Sequence, residues 1–196
     1  ISAIYASILV RTQQTAASLA DARELSTEIR EGLREIGAGD LEMANDHDSI
    51  ETYLESALSW ADGGLASRIP GSDENGHDVM ARFDAVVEEA STALAPDRVA
   101  VLVSHGAVIR AWCALRCANL DRKFTATNGL SNTGVVVLEG DGGPVGVCAQ
   151  PLDGHAPRPG SDIPEEPSPT WCEGRDGQRS YRRLGELAIV FVGVVG

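Results

Sequence analysis

The amino-acid sequence predicts an α/β protein, a three-layer sandwich with a mainly parallel central sheet between helices. Short apolar segments alternate with amphipathic helical segments, which is the element order of layered α/β domains. The segment RVAVLVS at residues 98–104 is apolar almost throughout, as expected for a strand that helices cover on both faces. At 196 residues and 43% hydrophobic composition, the chain is large enough for one domain with a substantial core.

The first half of the chain supplies one strand and three helices. SAIYAS at residues 2–7 is a short buried strand, and a helix follows from Thr12 to about Leu25. DSIETYLESALSW repeats apolar residues at helical spacing. After the polar loop IPGSDENG comes the clearest helix. Its wide apolar stripe consists of Val79, Phe83, Val86, Val87, Ala90 and Leu94.

The second half adds more strands and a segment of different composition. The strand at 98–104 leads into the helix HGAVIRAWCALRCANL, and TGVVVLE and VGVCAQ are two further strands joined by a GDGG turn. We predict a domain over residues 1–150 and a Pro/Gly-rich linker or disordered tail over 151–186. The apolar segment 187–196 is shorter than the roughly 20 residues that span a bilayer, so it is interpreted as a strand or an aggregation-prone end.

Charge and cysteine content narrow the functional classes. A formal net charge of −13 argues against nucleic acid and membranes as partners, because binding to either relies on basic patches. Four cysteines in a chain of this length do not form a disulfide scaffold. Cys113 and Cys117 have a spacing open to metal ligation, but buried thiols are the favoured interpretation. Reduced cysteines and no visible signal peptide favour a cytoplasmic location.

Two residues lie where a predicted strand gives way to a predicted helix. Arg11 follows the first strand, so its guanidinium lies beside the free N–H groups of a helix start, a favourable anion site. His105 ends the strand at 98–104, and Gly106 allows a ligand close to the backbone. Ligands of open α/β sheets bind at the carboxyl ends of the strands. We therefore expect Arg11 and His105 to converge within a few ångströms on one anion.

Two carboxylates are further candidates. Glu35, in LREIGAGDLE, is suited to general acid catalysis if its pKa is raised; otherwise it belongs to a solvated charged loop. Glu74, in DENGHDVMAR, lies at a loop end from which it can support the site. Asp78 and Arg82 are four residues apart on one predicted helix and are expected to form a solvent-exposed pair.

Four segments, YASILVRTQQTA, LREIGAGDLE, DENGHDVMAR and VLVSHGAVIRA, together resemble the histidine phosphatase superfamily, in its phosphoglycerate-mutase-like branch. The resemblance implies attack by a histidine of an Arg-His-Gly motif on a small phosphorylated metabolite. Water, or a second hydroxyl in mutases, then takes the phosphoryl group from the phosphohistidine. It makes Arg11 a phosphate-binding arginine, His105 a catalytic and phosphate-binding histidine, and Glu35 the catalytic proton donor. The site needs no metal or cofactor, and a homodimer is an expected assembly.

The sequence departs from the family at the nucleophile, because it contains no Arg-His-Gly tripeptide. We expect the family's central first strand, which bears that motif, to precede Ile1, so that this chain is N-terminally truncated and inactive alone. AIVFVGVVG is similar to that strand, with Gly193 and Val194 at the arginine and histidine positions. One hypothesis is that it fills the vacant slot without the chemistry. A shifted reading frame after about Gln150 explains the unusual tail equally well.

Three functional hypotheses follow. The first is a phosphomonoester hydrolase, or a mutase-like phosphoryl transferase, whose nucleophile this chain lacks. The second is a non-catalytic phosphate-binding or interaction protein that keeps Arg11 and His105. The third makes His105 itself the nucleophile. If the central slot stays empty, two strand edges are exposed, and low solubility or oligomers are expected.

Overall fold

The computed structural model describes residues 1–95, 97–117, 119–120, 123, 127, 129–140, 148–152 and 187–194. The strands are β1 (Ala3–Ala6), β2 (Thr27–Ile29), β3 (Arg98–His105), β4 (Val135–Gly140), β5 (Cys148–Leu152) and β6 (Leu187–Val194). The α-helices are α1 (Val10–Arg23), α2 (His47–Ser59), α3 (Gly76–Ala93) and α4 (Gly106–Arg116). Single 3₁₀ turns lie at Glu31–Leu33, Gly39–Leu41 and Trp60–Asp62.

The six strands that the structure describes form one sheet in the order β2-β1-β3-β6-β4-β5. The neighbours from β2 to β6 run parallel, whereas β4 is antiparallel to both β6 and β5. The predicted fold class, a mainly parallel sheet flanked by helices, is therefore confirmed. The predicted tail is wrong at its first two residues, because Pro151 and Leu152 belong to β5. Residues 153–186 lie outside the described part of the chain.

The alternation of side chains along the parallel strands builds two cores. On one face of the sheet, Ile4 of β1 and Val101 of β3 pack with Ala16 of α1. On the other face, Leu102 of β3 packs with Phe83 of α3 and with residues of α4. Because successive residues of a strand point to opposite faces, an unbroken apolar strand such as β3 serves both cores.

The strand β6 completes the centre of the sheet. All eight of its residues pair with β3, from Arg98↔Leu187 to His105↔Val194, and six of them pair with β4. Phe191 is fully buried, with its ring centroid 5.4 Å from that of Phe83 and 5.3 Å from that of Trp112. The edges of β3 and β4 that face the central slot are thus paired with β6.

The structure also describes Cys113, Cys117 and the length of the helices. Cys113 and Cys117 are buried free thiols, as predicted. None of the helices that the structure describes is long and apolar enough to cross a lipid bilayer.

Candidate active site

The candidate site lies at the carboxyl ends of β1 and β3. These two strands are adjacent and parallel, with Ala6 opposite Val103, so the residues that follow them share one edge of the sheet. After β1 the chain turns through Ser7 into α1, and after β3 it passes directly from His105 into α4. Each junction therefore presents a helix N-terminus and polar side chains at the same edge.

The structure brings Arg11 and His105 together. Arg11 Nη2 lies 3.1 Å from His105 Nδ1. The imidazole is fully buried, and Arg11 Nε is buried without a hydrogen-bond partner among the described residues. A guanidinium that is incompletely satisfied beside a buried imidazole is suited to an anion that accepts from both groups.

Ser7 contacts His105 and Thr12 contacts Ser7, and sequence analysis did not single out either as a site residue. Ser7 Oγ lies 2.8 Å from His105 Nε2 and 2.8 Å from Thr12 Oγ1. Both side chains are fully buried. Ser7 Oγ also accepts from the backbone N–H of Leu9 at 3.2 Å, which shapes the turn into α1. A serine directly after a buried strand, ahead of a helix, was the available signal for this role.

Burial and neighbouring cations keep the His105 imidazole neutral near pH 7. Burial first, and then the charge of Arg11, lower the pKa of His105 to about 4, and the charge of Arg82 acts in the same direction. The backbone of Val194 opposes these effects. A bound anion of two negative charges would reverse the sign of the local field and favour the imidazolium.

Glu35 occupies the N-terminus of α4. Its Oε1 accepts from the N–H of Val108 at 2.9 Å and of Ile36 at 3.0 Å, and its Oε2 accepts from the N–H of Ala107 at 3.2 Å. Burial raises the pKa of the Glu35 carboxyl, although the three N–H donors and the charge of Arg11 oppose that shift. A raised carboxyl pKa is the property that a general acid requires.

Arg82 holds the backbone of the segment that carries Glu35. Its Nη1 donates to the carbonyl oxygens of Gly32 and Arg34, each at 2.8 Å, and its Nη2 donates to the carbonyl of Glu35 at 3.2 Å. Its Nε donates to Glu74 Oε1 at 2.9 Å. Arg82 thus fixes the position of Glu35 relative to α3.

The predicted solvent-exposed pair of Asp78 and Arg82 is wrong. The Arg82 side chain is only 14% exposed, and Asp78 instead closes a capping box with Asn75 at the start of α3. The partly buried carbonyls next to Arg82 need donors, and the N–H groups of its guanidinium supply them. The Glu74 carboxylate accepts a hydrogen bond from Arg82 and also pairs with Arg34, whose Nη2 lies 2.7 Å from Glu74 Oε1. Glu74 therefore contacts the supporting arginines.

The end of β6 next to His105 offers no polar side chain. Gly193 and Val194 lie opposite Ser104 and His105 in the sheet. The Gly193 carbonyl accepts from the N–H of Thr133 at 2.7 Å, and its N–H donates to the Gly134 carbonyl at 2.9 Å. A Cβ added at Gly193 would collide with Leu130 Cδ2. This strand end is sealed by backbone and apolar contacts.

The fold and the site define an α/β protein with an arginine and a buried histidine in contact at the carboxyl edge of its sheet. The model of the histidine phosphatase superfamily, branch 1, matches residues 1–147. The chain therefore belongs to the histidine phosphatase superfamily, which confirms the resemblance seen in its motifs.

Solved structures of two phosphatases and of a further hydrolase are similar to the chain. A mycobacterial glucosyl-3-phosphoglycerate phosphatase, in complex with inorganic phosphate, is 27% identical with a TM-score of 0.58, over 76% of this chain and 74% of that one. A structure titled mycobacterial hydrolase 2 is 26% identical with a TM-score of 0.56, over 77% of this chain and 69% of that one. The alpha-ribazole phosphatase from Shigella flexneri shares the fold at 21% identity and a TM-score of 0.53, over 75% and 71% of the two chains. A comparison with curated protein sequences finds no match.

Proposed function

We propose that this chain carries the phosphate-binding half of a phosphomonoester hydrolase of the histidine-phosphatase type. The observation that carries the proposal is the contact of 3.1 Å between Arg11 and His105 at the carboxyl edge of the sheet. Membership of the superfamily and the phosphatase neighbours support the same reaction class. A small phosphorylated metabolite is the proposed substrate.

Each residue has a role that its surroundings support. Arg11 binds phosphoryl oxygens through its planar donor fork, and His105 donates to the oxygens as charge grows on them in the transition state. Glu35 gives its proton to the leaving oxygen, a role that its raised pKa favours. Arg82 and Glu74 hold the segment of Glu35 in place. The proposed nucleophile is a histidine that this chain does not supply, so we expect no turnover from the chain alone.

A second candidate is a non-catalytic phosphate-binding protein. The observation that favours it is the end of β6, where Gly193 and Val194 lie beside His105 and Leu130 packs over Gly193. In this version, Arg11 and His105 recognise a phosphate without breaking its ester bond.

Titration with inorganic phosphate tests the binding that both candidates require. Arg11→Ala should weaken binding at least tenfold, about 1.4 kcal/mol. The matched control Arg23→Ala removes the same charge from the exposed far end of α1 and should bind phosphate like the wild type. Equal affinities of the two variants would contradict a phosphate site at Arg11.

Hydrolysis of p-nitrophenyl phosphate separates the candidates. Turnover that His105→Ala abolishes, and that the exposed-histidine variant His47→Ala retains, would establish catalysis by the chain itself and overturn the proposed absence of a nucleophile. An acid-labile, base-stable phosphoryl adduct on His105 would identify this histidine as the nucleophile. Phosphate binding without turnover is expected both of a hydrolase whose nucleophile this chain does not supply and of a non-catalytic phosphate-binding protein. Turnover by a longer product of the same reading frame would identify the hydrolase.

A further inference from the structure

A series of hydrogen bonds runs from Arg11 through His105 and Ser7 to Thr12, and its direction is fixed at the Arg11 end. The guanidinium carries only donors, so Arg11 Nη2 must donate to His105 Nδ1 across the 3.1 Å that separate them. His105 Nδ1 therefore holds a lone pair rather than a proton. The one proton of the neutral ring lies on Nε2.

The direction continues through two hydroxyl groups. His105 Nε2–H donates to Ser7 Oγ at 2.8 Å. Thr12 Oγ1 donates to the carbonyl of Leu9 at 2.7 Å, with the Ser7 carbonyl at 3.2 Å as its other acceptor. Because both of these groups only accept, the Thr12 oxygen is left as the acceptor for Ser7 Oγ–H at 2.8 Å. The donor and the acceptor of each hydrogen bond in this series are thus assigned.

We propose that Ser7 and Thr12 are positioning residues that hold His105 as the Nε2–H tautomer with its Nδ1 lone pair towards Arg11, so that binding of phosphate protonates Nδ1. The inference rests on the proposed function, because it takes phosphate as the ligand. It goes beyond that function by assigning two further residues and a proton to the binding step.

The proton balance follows from the contacts. When phosphate binds, the hydrogen bond from Arg11 Nη2 to Nδ1 breaks and the guanidinium donates to a phosphate oxygen. Nδ1 then takes one proton from the solvent and donates it to another oxygen. The imidazolium keeps its Nε2–H bond to Ser7 Oγ, so the ring does not turn. Binding of the phosphate dianion should therefore bring close to one proton onto the ring at neutral pH, and phosphate that starts as the monoanion offsets this uptake by the proton it loses.

The charged groups around His105 support proton uptake on anion binding. Arg11 on α1 and Arg82 on α3 act on the ring as cations. The Glu35 carboxylate lies against the first turn of α4, bonded to the N–H groups of Ala107 and Val108. Among the described residues of β6, the backbone of Val194 forms a hydrogen bond with the ring that favours its charged form. In the empty site the cations keep the ring neutral, and a dianion placed between them reverses that preference.

Nitrogen-15 NMR of the full chain tests the tautomer directly, because the sequence has only four histidines. His105 should appear as the neutral Nε2–H form at pH 7 and as imidazolium after addition of inorganic phosphate. Ser7→Ala removes the acceptor of Nε2–H and should give a mixture of tautomers and several-fold weaker phosphate binding. Thr12→Val should give a smaller effect in the same direction. Thr15→Val, on the same helix with its hydroxyl on the Arg11 carbonyl, should change neither.

Calorimetric titration with phosphate in two buffers of different ionisation enthalpy measures the proton uptake. An uptake of about one proton per phosphate at pH 7 is expected relative to the phosphate dianion, after subtraction of the proton that monoanionic phosphate releases. Phosphate binding without proton uptake would overturn the inference and leave the proposed function standing. Absence of phosphate binding would overturn the proposed function and the proton uptake together.

The tautomer of His105 in the phosphate-free protein tests the positioning role of Ser7 and Thr12 whether or not phosphate binds. A free wild-type His105 protonated at Nδ1, or an unchanged tautomer in Ser7→Ala, would overturn that role. If Ser7→Ala does not fold, the wild-type spectrum and Thr12→Val settle the question.

Discussion

The carboxyl ends of β3 and β6 are neighbours in the sheet, yet their chemistry differs. His105, at the end of β3, is fully buried within a polar network that includes Ser7 and Arg11. Val194, opposite it on β6, is surrounded by apolar residues, and Gly193 bonds only through its backbone. A segment can therefore occupy a central place in the sheet without carrying polar side chains at its end.

The difference has a physical basis. A slot between two strands accepts any extended segment whose side chains fit both cores, because the pairing itself uses backbone groups. In β6, Ile189 and Phe191 serve one core, while Val190 and Val192 pack against the other. A catalytic strand end needs particular side chains in addition, and an apolar pattern does not specify them.

Hydrogen exchange should show the largest effect of this arrangement. If β6 is a central strand, the amides from Ile189 to Val192 open only with the whole sheet, and their exchange should be slowed by roughly 10³-fold or more. Amides of the three-residue edge strand β2 serve as the internal comparison and should exchange much faster. Rapid exchange of the β6 amides would show that β6 is not a central strand of the sheet.

Truncation of Phe191 should be the most destabilising single substitution in β6. Phe191→Ala leaves a cavity between the rings of Phe83 and Trp112 and should lower the free energy of unfolding by about 3–5 kcal/mol. Phe191→Leu, which keeps most of the volume, should cost clearly less. Urea denaturation measures both, and a loss below about 1 kcal/mol for Phe191→Ala would mean that β6 contributes little to the core.

The buried end of β3 should make stability depend on pH. The folded pKa of His105 is about 4, below the ordinary 6.5, so the unfolded chain binds more protons between these values and stability falls as pH falls. The advantage of the wild type over His105→Asn should be full above pH 6.5 and decline towards pH 4, by at most about 1.4 kcal/mol per pH unit. His47 is 85% exposed, so His47→Asn should run parallel to the wild type in urea denaturation across this range.

A side chain at the sealed end of β6 should produce the smallest of these effects. Gly193→Ala drives a methyl group into Leu130 and should destabilise the chain by about 1–3 kcal/mol. Leu130→Ala in the same chain should remove most of that penalty in a double-mutant cycle. Additive losses in the cycle would show that Leu130 does not close this position.

The sequence predicted the layered fold and the convergence of Arg11 and His105, since both follow strands that parallel pairing brings to one edge. It did not reveal β2, because Thr27–Ile29 is short and mostly exposed, with no apolar pattern to detect. The strand is defined by its pairing with β1, which depends on tertiary structure.

Side-chain partners were harder to predict than strand positions. Arg82 was expected to pair with Asp78 from their spacing, but its acceptors include carbonyls 48 and 50 residues away. The contact of Ser7 with His105 likewise joins residues 98 apart. The spacing of residues along the sequence predicts neither the Arg82 contacts nor the contact of Ser7 with His105, because these contacts form only when the sheet and α3 are assembled.

The strand at the middle of the sheet, β6, follows the other described strands in the sequence, which has a consequence for biosynthesis. As the chain leaves the ribosome, β1, β3 and β4 emerge before the segment that joins β3 to β4. Pairings of such high contact order form slowly, and unsatisfied strand edges meanwhile invite aggregation. Yield of the native protein should therefore depend on chaperone supply during translation more strongly than its final stability would suggest.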